Sequence, residues 1–516
     1  MSGTANSIYI PGYPASNRVP GVFAAINAAN ANTATVPQRS LILAQTLSTG
    51  TAPPGVAVLS AGIGEAQTSY GVGSMAAIAV ERYRGLDPVG ELWMLPLADA
   101  TGADPATGGI GFTGTATANA VLPLYIDANY VPVSVSNGDT AAAIATNTAA
   151  AIAAYATPGG NPLPYTAAAS GGAVTLTARN AGPIANTGTI MLSVLGTAAG
   201  QGHFGTTNVP GVTASITPMS GGTTGPTIAN ALAGLPVQPY DFICCPYADA
   251  TSLSALQGYL GDQAGTWNWS VQLFGGAFTA YGGTVGARTT WSALRNDQHT
   301  SAIGAQGSPS PDWHWAVDYT AAAAVSLRND PTIPLGGLTQ GVVLNVMAPP
   351  PMYRDTFAID EVLLNTGMST YRVDNSGVVS VQRAITTYQF NAAGQPDNSY
   401  LNVNVPFQLM TYIRTVETML GANFNQSKLV ADGSRIPPGS NMVTSQTILY
   451  SVVAQYTALA TVGIPGVPAG LVQNPQAFAS NAVAQNAGGG VVKMLLPVQL
   501  GGQLIAIAMS IAFTQP

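Results

Sequence analysis

The chain has 516 residues, of which 47% are hydrophobic and 7% are charged, and its net charge is −7. A disordered chain would be rich in charge and poor in apolar residues, so the composition excludes disorder and indicates about two to four folded domains. An ordinary soluble protein has about 25% charged residues, so the surface of this protein must be neutral and polar or covered by partners. The sequence has no run of basic residues, which argues against nucleic-acid binding.

Residues 1–40 are predicted to form an extended N-terminal arm. Pro11, Pro14 and Pro20 interrupt the segment, and proline confines strands to sheet edges or arms. The segment contains two short apolar pieces, Ile8, Tyr9 and Ile10 in one and Val22, Phe23 and Ile26 in the other. It lacks the basic start and apolar run of a signal peptide.

Residues 41–106 are predicted to be the first part of a layered core, with a strand at 39–47 and a helix at 71–84. Gly71, Gly73 and Ala76 at the helix entry resemble a GxGxxA phosphate loop. However, no clean strand precedes them and no acidic partner for a ribose follows at the required distance. We therefore interpret Ser74 as the N-cap of an ordinary helix.

Residues 107–222 differ from their surroundings because charge nearly vanishes and Ala, Thr and Gly dominate. The segment has strand-like runs at 122–126, 131–135, 174–177 and 190–195. An alanine-rich helix is predicted at 140–155, with Asp139 as its cap. The pattern indicates an inserted α+β module of mainly β character.

Residues 225–390 alternate between helix and strand patterns, which favours an α/β layer with a largely parallel sheet. Strands are expected at 241–245 and 270–274, and a long helix at 315–328 that ends before Asp330-Pro331. Cys244 and Cys245 are neighbours in an apolar stretch and are interpreted as buried thiols. The turn residues before Gly377 predict a hairpin.

Residues 391–516 are predicted to contain a helix at 407–420 and a final strand at 503–513. The large residues of that strand alternate with small ones and are Ile505, Ile507, Met509, Ile511 and Phe513. A period of two is typical of a β-strand, and the glycines, glutamines and Lys493 nearby argue against a membrane-spanning helix. Lys493 and Lys428 are the only lysines. Interface cores favour Arg over Lys, so this scarcity fits a subunit covered by its own copies, with a compositional bias as the alternative.

The sequence contains no recognisable catalytic, cofactor or metal motif. Its three histidines are far apart, and the GxSxG and GxxxxGK[ST] patterns do not occur. Asp312 and His314 lie beside two tryptophans, which could line a sugar site but more often anchor a helix against the core. An enzyme on the α/β layer would need a pocket in which Asp312, His314 and Asp318 converge.

The stretch from residue 330 to 445 resembles the Mu-like contractile tail sheath family. Its ordered motif residues are Asp330, Pro331, Gly367, Ser369, Thr370, Gly377, Arg383, Thr386, Thr387, Tyr388, Asp432 and Gly433. The resemblance implies an α+β multidomain protein with an α/β layered sheath core at 41–106 and 225–390. The other parts would be the inserted mainly-β module at 107–222, a C-terminal sheath domain at 391–516 and extended terminal arms.

The resemblance also implies a function without a cofactor. Copies would stack as hexameric rings around an inner tail tube, between the baseplate and the tail terminator proteins, and contraction would drive the tube through the host envelope. The subunit would be made in the host bacterial cytoplasm and work in the virion tail, without membrane insertion. We expect the two terminal arms to add strands to neighbouring copies and the inserted module to face outward. The second hypothesis for the function is a surface-array or receptor-binding subunit, and the third is an α/β enzyme.

Overall fold

The computed structural model describes residues 38–192, 207–437 and 440–512. The six N-terminal arm residues from Ile8 to Ile26 and the C-terminal Phe513 lie outside these ranges. The strands are β1 (Arg39–Gln45), β2 (Val58–Leu59), β3 (Glu91–Leu97), β4 (Pro105–Gly114), β5 (Ala120–Ile126), β6 (Asn129–Val135), β7 (Tyr165–Ser170), β8 (Ala173–Ala181), β9 (Ile190–Met191), β10 (Val212–Ser220), β11 (Phe242–Cys244), β12 (Gly276–Ala280), β13 (Thr300–Ile303), β14 (Val343–Leu344), β15 (Thr370–Val373), β16 (Val379–Arg383), β17 (Lys428–Leu429), β18 (Met442–Val443), β19 (Val483–Gly488) and β20 (Val491–Leu495). The helices are α1 (Ile63–Tyr70), α2 (Met75–Leu86), α3 (Ala141–Ala154), α4 (Ile228–Ala233), α5 (Ala250–Leu260), α6 (Val285–Ala293), α7 (Asp312–Asn329), α8 (Phe357–Leu364), α9 (Asn404–Phe424), α10 (Ser445–Thr461) and α11 (Pro475–Asn481).

The core is a six-stranded sheet in the order β13-β12-β11-β1-β3-β2. All neighbouring strands are parallel except β2, which pairs antiparallel with β3. Helices α2 and α7 pack against each other and against the central strands, as a parallel sheet requires cover for its apolar faces. The prediction of a largely parallel sheet is therefore correct for this part of the chain.

One predicted strand is wrong. Residues 270–274 do not form a strand, which begins instead at Gly276. The preceding loop is held by its own hydrogen bonds, from the indole N–H of Trp267 to the Gly275 carbonyl at 2.8 Å and from Leu273 N to the Thr266 carbonyl at 2.9 Å. The second bond occupies the Leu273 N–H, which a strand at 270–274 would need for pairing.

Two of the predicted helix boundaries are confirmed by hydrogen bonds. The Ser74 hydroxyl accepts from Ala77 N at 3.0 Å and caps α2. Helix α7 ends at Asn329, and Asp330 forms its C-cap in an extended conformation, because the residue before proline avoids helical angles. Cys244 and Cys245 are fully buried, free thiols, as predicted. Burial raises the pKa of the Cys245 thiol to about 12.

Residues 105–220 contain two further sheets, β10-β4-β8-β7 and β6-β5-β9, with α3 packed against them. Their apolar side chains form a hydrophobic cluster of their own, drawn from Ala106 to Met219. Asp139 is not the cap of α3, contrary to the prediction. Thr140 accepts from Ala143 N, while the Asp139 carboxylate accepts from Ser136 N in the preceding turn at 2.8 Å.

Asp127 is a fully buried carboxylate in the turn between β5 and β6. It accepts hydrogen bonds from Thr189 N at 2.8 Å and from the Tyr165 hydroxyl at 2.7 Å. Burial raises its pKa from 3.8 to about 6 despite these two donors. The folded protein therefore holds this proton more tightly than the unfolded chain, so its contribution to stability falls as the pH rises from about 4 to about 6.

We expect Asp127→Asn to stabilise the protein by about 1–3 kcal/mol at pH 8 and to have almost no effect below pH 4. The asparagine removes the buried charge and suits the φ of 48° at this position. Its Oδ1 can still accept from Thr189 N, and its Nδ2 can donate to the Tyr165 hydroxyl oxygen. Urea unfolding of both chains at several pH values measures the difference. A variant that is less stable than the parent at pH 8 would contradict this account of Asp127.

The C-terminal part has a third hydrophobic cluster, formed by α9, α10, α11 and the β19–β20 hairpin. At its centre the rings of Tyr456 and Phe478 stack with their centroids 3.7 Å apart. Arg414 of α9 forms an ion pair with the buried Asp241 at the start of β11 and so fastens this cluster to the central sheet. Within the described ranges, every helix is too short or too polar to cross a lipid bilayer.

Candidate assembly surfaces

Within the described ranges, the last hydrogen bonds between the C-terminal segment and the body of the protein are those of Gly501, and residues 503–505 still lie against residues 334–337 and 382–384. Gly501 N donates to the Leu471 carbonyl and Gln473 N to the Gln499 carbonyl, both at 2.9 Å. From residue 501 to 512 the chain pairs with no strand. The predicted strand 503–513 is therefore without a strand partner in its own subunit over the residues that the structure describes.

The large side chains of this segment are exposed. The exposed fractions are 60% for Leu504, 39% for Ile505, 60% for Ile507, 79% for Met509 and 82% for Ile511. Covering one such side chain contributes about 1.5–3 kcal/mol. Exposed apolar side chains grouped in this way are typical of an interaction site.

The hairpin β19–β20 offers open sheet edges. Its strands pair antiparallel with each other, and the outer edge of each has no strand partner in the described ranges. One face is buried, with Ala484 and Met494 packed on the C-terminal cluster, while Val483 and Leu495 on the other face are 56% and 70% exposed. A two-stranded sheet is only marginally stable by itself, so this hairpin is suited to receive further strands.

Sequence reasoning missed this hairpin. The glycine run at 488–490, in which all three residues have positive φ, was the available signal for a turn. The alternation of Ala484, Asn486 and Val492 with exposed neighbours indicates the strands on either side.

Most of the family motif residues lie inside the protein and fasten segments together. The Ser369 hydroxyl donates to the Ile385 carbonyl and accepts from Ile385 N, and Ser369 N bonds to the end of β13. The Thr387 hydroxyl accepts from Asp297 N, and the Thr386 hydroxyl donates to the Tyr400 carbonyl. The structure thus brings these residues together as a joint between the central sheet and the following segments.

The other motif residues are local supports. Thr370 is buried in β15, and Gly367 has a φ of 85° beside the Thr387 backbone. Gly377 has a φ of 86° in the predicted hairpin turn, where Asp374 accepts from Ser376 N and Val378 N. The Pro331 carbonyl accepts from the Asn404 side chain, and Arg383 donates to the Asn402 side chain. The Tyr388 hydroxyl donates to Asp397, and the Ser445 hydroxyl donates to Asp432. Gly433 lies in the exposed turn after Asp432.

The residues proposed for an enzyme do not converge. The Asp312 carboxylate accepts from Gly282 N at 2.9 Å in one cavity, whereas His314 lines another. Asp318 forms an ion pair with Arg82 at 2.5 Å. Within the part of the chain that the structure describes, no three His, Cys, Asp or Glu side chains are grouped to hold a metal ion.

The described residues form a mixed α/β protein with several sheets, open edges on the β19–β20 hairpin and an exposed apolar segment at 504–512. Comparison with known proteins gives its class. The phage tail sheath protein central domain matches residues 221–387. The Mu-like prophage FluMu tail sheath protein of Haemophilus influenzae is 32% identical over 427 residues, which cover 82% of this chain and 83% of that protein.

The chain belongs to the phage tail sheath family, a family of structural proteins and not of enzymes. Two solved structures are also similar. The match to a sheath tail protein of Listeria innocua has a TM-score of 0.41 at 11% sequence identity. It covers 90% of this chain and 96% of that protein's chain. The match to the helical sheath of the anti-feeding prophage in its contracted state has a TM-score of 0.38 at 11% sequence identity. It covers 97% of this chain and 100% of that one.

Proposed function

We propose that this chain is the repeating subunit of a contractile sheath in a virion tail. Copies stack as hexameric rings around an inner tail tube, and contraction of the helical lattice drives the tube through the host envelope. The observation that carries the proposal is the unpaired apolar strip at 504–512 in a member of the tail sheath family. The baseplate and the tail terminator are the expected partners at the two ends of the lattice.

The lattice is held by strand addition between copies. The strip at 504–512 adds to an open edge of the β19–β20 hairpin of an adjacent copy, so that main-chain hydrogen bonds connect the two subunits. The two N-terminal pieces, which include Tyr9 and Phe23, enter this proposal on their sequence pattern alone. Because Gly501 and Gly502 precede the strip, the connection can bend while the added strand keeps its bonds.

The body of each copy moves as a rigid unit during contraction. Buried or half-buried ion pairs join distant segments of that body, among them Arg288 with Asp355 and Arg328 with Asp87. The inserted module faces outward in this arrangement, and its own hydrophobic cluster supports its being a separable unit. No cofactor is needed, because the energy is stored when the extended lattice assembles.

Electron microscopy of the purified full-length chain tests the function. Hollow cylinders of constant diameter are the expected result. Flat lattices or trimeric spikes would contradict the proposal and would favour a surface-array or receptor-binding subunit instead.

A further inference from the structure

The inserted module at 105–220 joins the core through two linkers that lie side by side. The linkers are residues 98–104 and 221–227. The Asp104 carbonyl of the first linker accepts from Thr223 N of the second at 3.2 Å and from Gly182 N of the module at 2.9 Å. Two adjacent connections allow a domain to turn about them unless other contacts hold it.

The interface between the module and the core contains cavities and polar contacts. The apolar side chains of the two parts form separate clusters, although Ile184 of the module packs against the core cluster. Cavities of about 870 and 270 Å³ are lined by residues of both parts. Beside the smaller cavity the Thr189 hydroxyl donates to the Pro309 carbonyl. An interface that is not large and apolar permits relative motion of the two parts.

Glu81 of α2 accepts three hydrogen bonds from one loop of the module. Its carboxylate oxygens accept from Gly159 N at 2.7 Å, from the Thr157 hydroxyl at 2.7 Å and from the Asn161 side chain at 2.8 Å. Hydrogen bonds to a charged acceptor are about twice as strong as those between neutral groups. This one carboxylate is therefore a strong attachment of the module to the core.

The loop at 157–161 is shaped to meet this carboxylate. Thr157 N donates to the Asn161 carbonyl at 2.7 Å, and Asn161 N donates to the Thr157 hydroxyl at 3.0 Å. The Gln67 side chain of α1 donates to the Gly159 carbonyl at 2.9 Å. A Cβ atom at Gly159 would lie 2.5 Å from Cδ of Glu81, so the close approach depends on glycine.

The contact at Glu81 acts at a distance from the attachments beside the linkers. Asn180 of the module accepts from Met75 N at 2.9 Å and donates to Asp99 of the first linker at 3.1 Å. Glu81 lies about 9 Å further along α2 than Met75, at 1.5 Å per residue. Bonds at that distance resist a rotation about the linkers more effectively than bonds beside the linkers do.

We propose that Glu81 is a latch that holds the inserted module in one orientation on the core, and that the module turns about its two linkers when the latch is open. With the latch closed, the module moves with the body of its copy. The inference goes beyond the proposed sheath function because it concerns the single subunit. Failure of the latch would leave the sheath function standing, and failure of cylinder assembly would leave the latch standing.

Distances between two nitroxide spin labels test the latch in the full-length chain, below the concentration at which cylinders form. One label is attached to the core at Ser254→Cys, and the other to the module at Asn147→Cys or at Ser170→Cys, all exposed positions. The native Cys244 and Cys245 are buried, so they should not take up label. The parent should give one narrow distance distribution for each pair of labels.

Glu81→Ala should widen both distributions at least about twofold. Gly159→Ala keeps the carboxylate but places a methyl group against it, so it should widen them as well. Glu361→Ala removes an exposed carboxylate from α8 and should match the parent.

Hydrogen exchange separates an open latch from an unfolded module. The Gly159 amide should exchange faster in Glu81→Ala, because its bond to the carboxylate is lost, while the amides of β4 and β8 stay protected. Narrow distributions in Glu81→Ala together with fast exchange at Gly159 would overturn the proposal. Broad distributions in the parent would overturn it as well.

Discussion

Removing residues 504–516 is expected to abolish cylinder assembly and to leave the subunit folded. The apolar side chains of this strip, from Leu504 to Ile511, make no strand contact in their own subunit. Each would contribute about 1.5–3 kcal/mol when covered by a neighbour, so losing several of them raises the critical concentration by more than about 100-fold. Sedimentation measures assembly, and urea unfolding measures the subunit.

A matched pair of variants separates the apolar face from simple loss of length. Ile507→Ser with Ile511→Ser removes two large residues of one face and should prevent assembly. Ala508→Ser with Ala512→Ser changes the small residues of the opposite face and should assemble like the parent. Normal cylinders from the shortened chain would exclude a role for this strip in the lattice.

Arg288→Met is expected to destabilise the subunit by about 3–5 kcal/mol, because it leaves the Asp355 carboxylate buried without a partner. The two side chains are 0% and 3% exposed, and two parallel hydrogen bonds of 2.6 and 2.7 Å join them. The same guanidinium donates to the Gly304 carbonyl at 3.1 Å. The pair thus joins α6, the end of β13 and the segment before α8, and urea unfolding reports its loss.

Two controls define the origin of this effect. Arg435→Met removes an exposed arginine that forms no ion pair within the described ranges, and it should change stability by less than about 0.5 kcal/mol. Replacing Arg288 with Met and Asp355 with Leu together should recover part of the loss, since no unpaired charge remains. A double variant as unstable as Arg288→Met would show that shape, and not charge burial, determines the cost.

The features that sequence predicted well are those with a local physical cause. Ser74 caps α2 because a hydroxyl before a helix can accept from its first turn. Asp330 ends α7 because a proline follows it, and Gly377 forms a turn that needs positive φ. The parallel sheet follows from the alternation of helices and apolar strands between residues 225 and 390.

The features that sequence reasoning missed depend on contacts between distant residues. The choice of β12 over residues 270–274 is decided by the bond between Trp267 and Gly275 and by the neighbouring strands. A cavity of about 870 Å³ is lined by residues spread between Ile63 and Gly377, and no local pattern predicts which of them meet. The edges of the β19–β20 hairpin are open because no other described strand pairs with them. A pattern within one segment cannot predict whether a distant strand will pair with it.

Hydrogen exchange of backbone amides tests strand addition most directly, because the added bonds are main-chain bonds. The amides of residues 504–512, and those on the outer edges of the hairpin at 483–495, should exchange quickly in the free subunit. In assembled cylinders the amides of 504–512 and those on one outer edge of the hairpin should become protected together. Cylinders in which residues 504–512 still exchange as fast as in the free subunit would contradict the account.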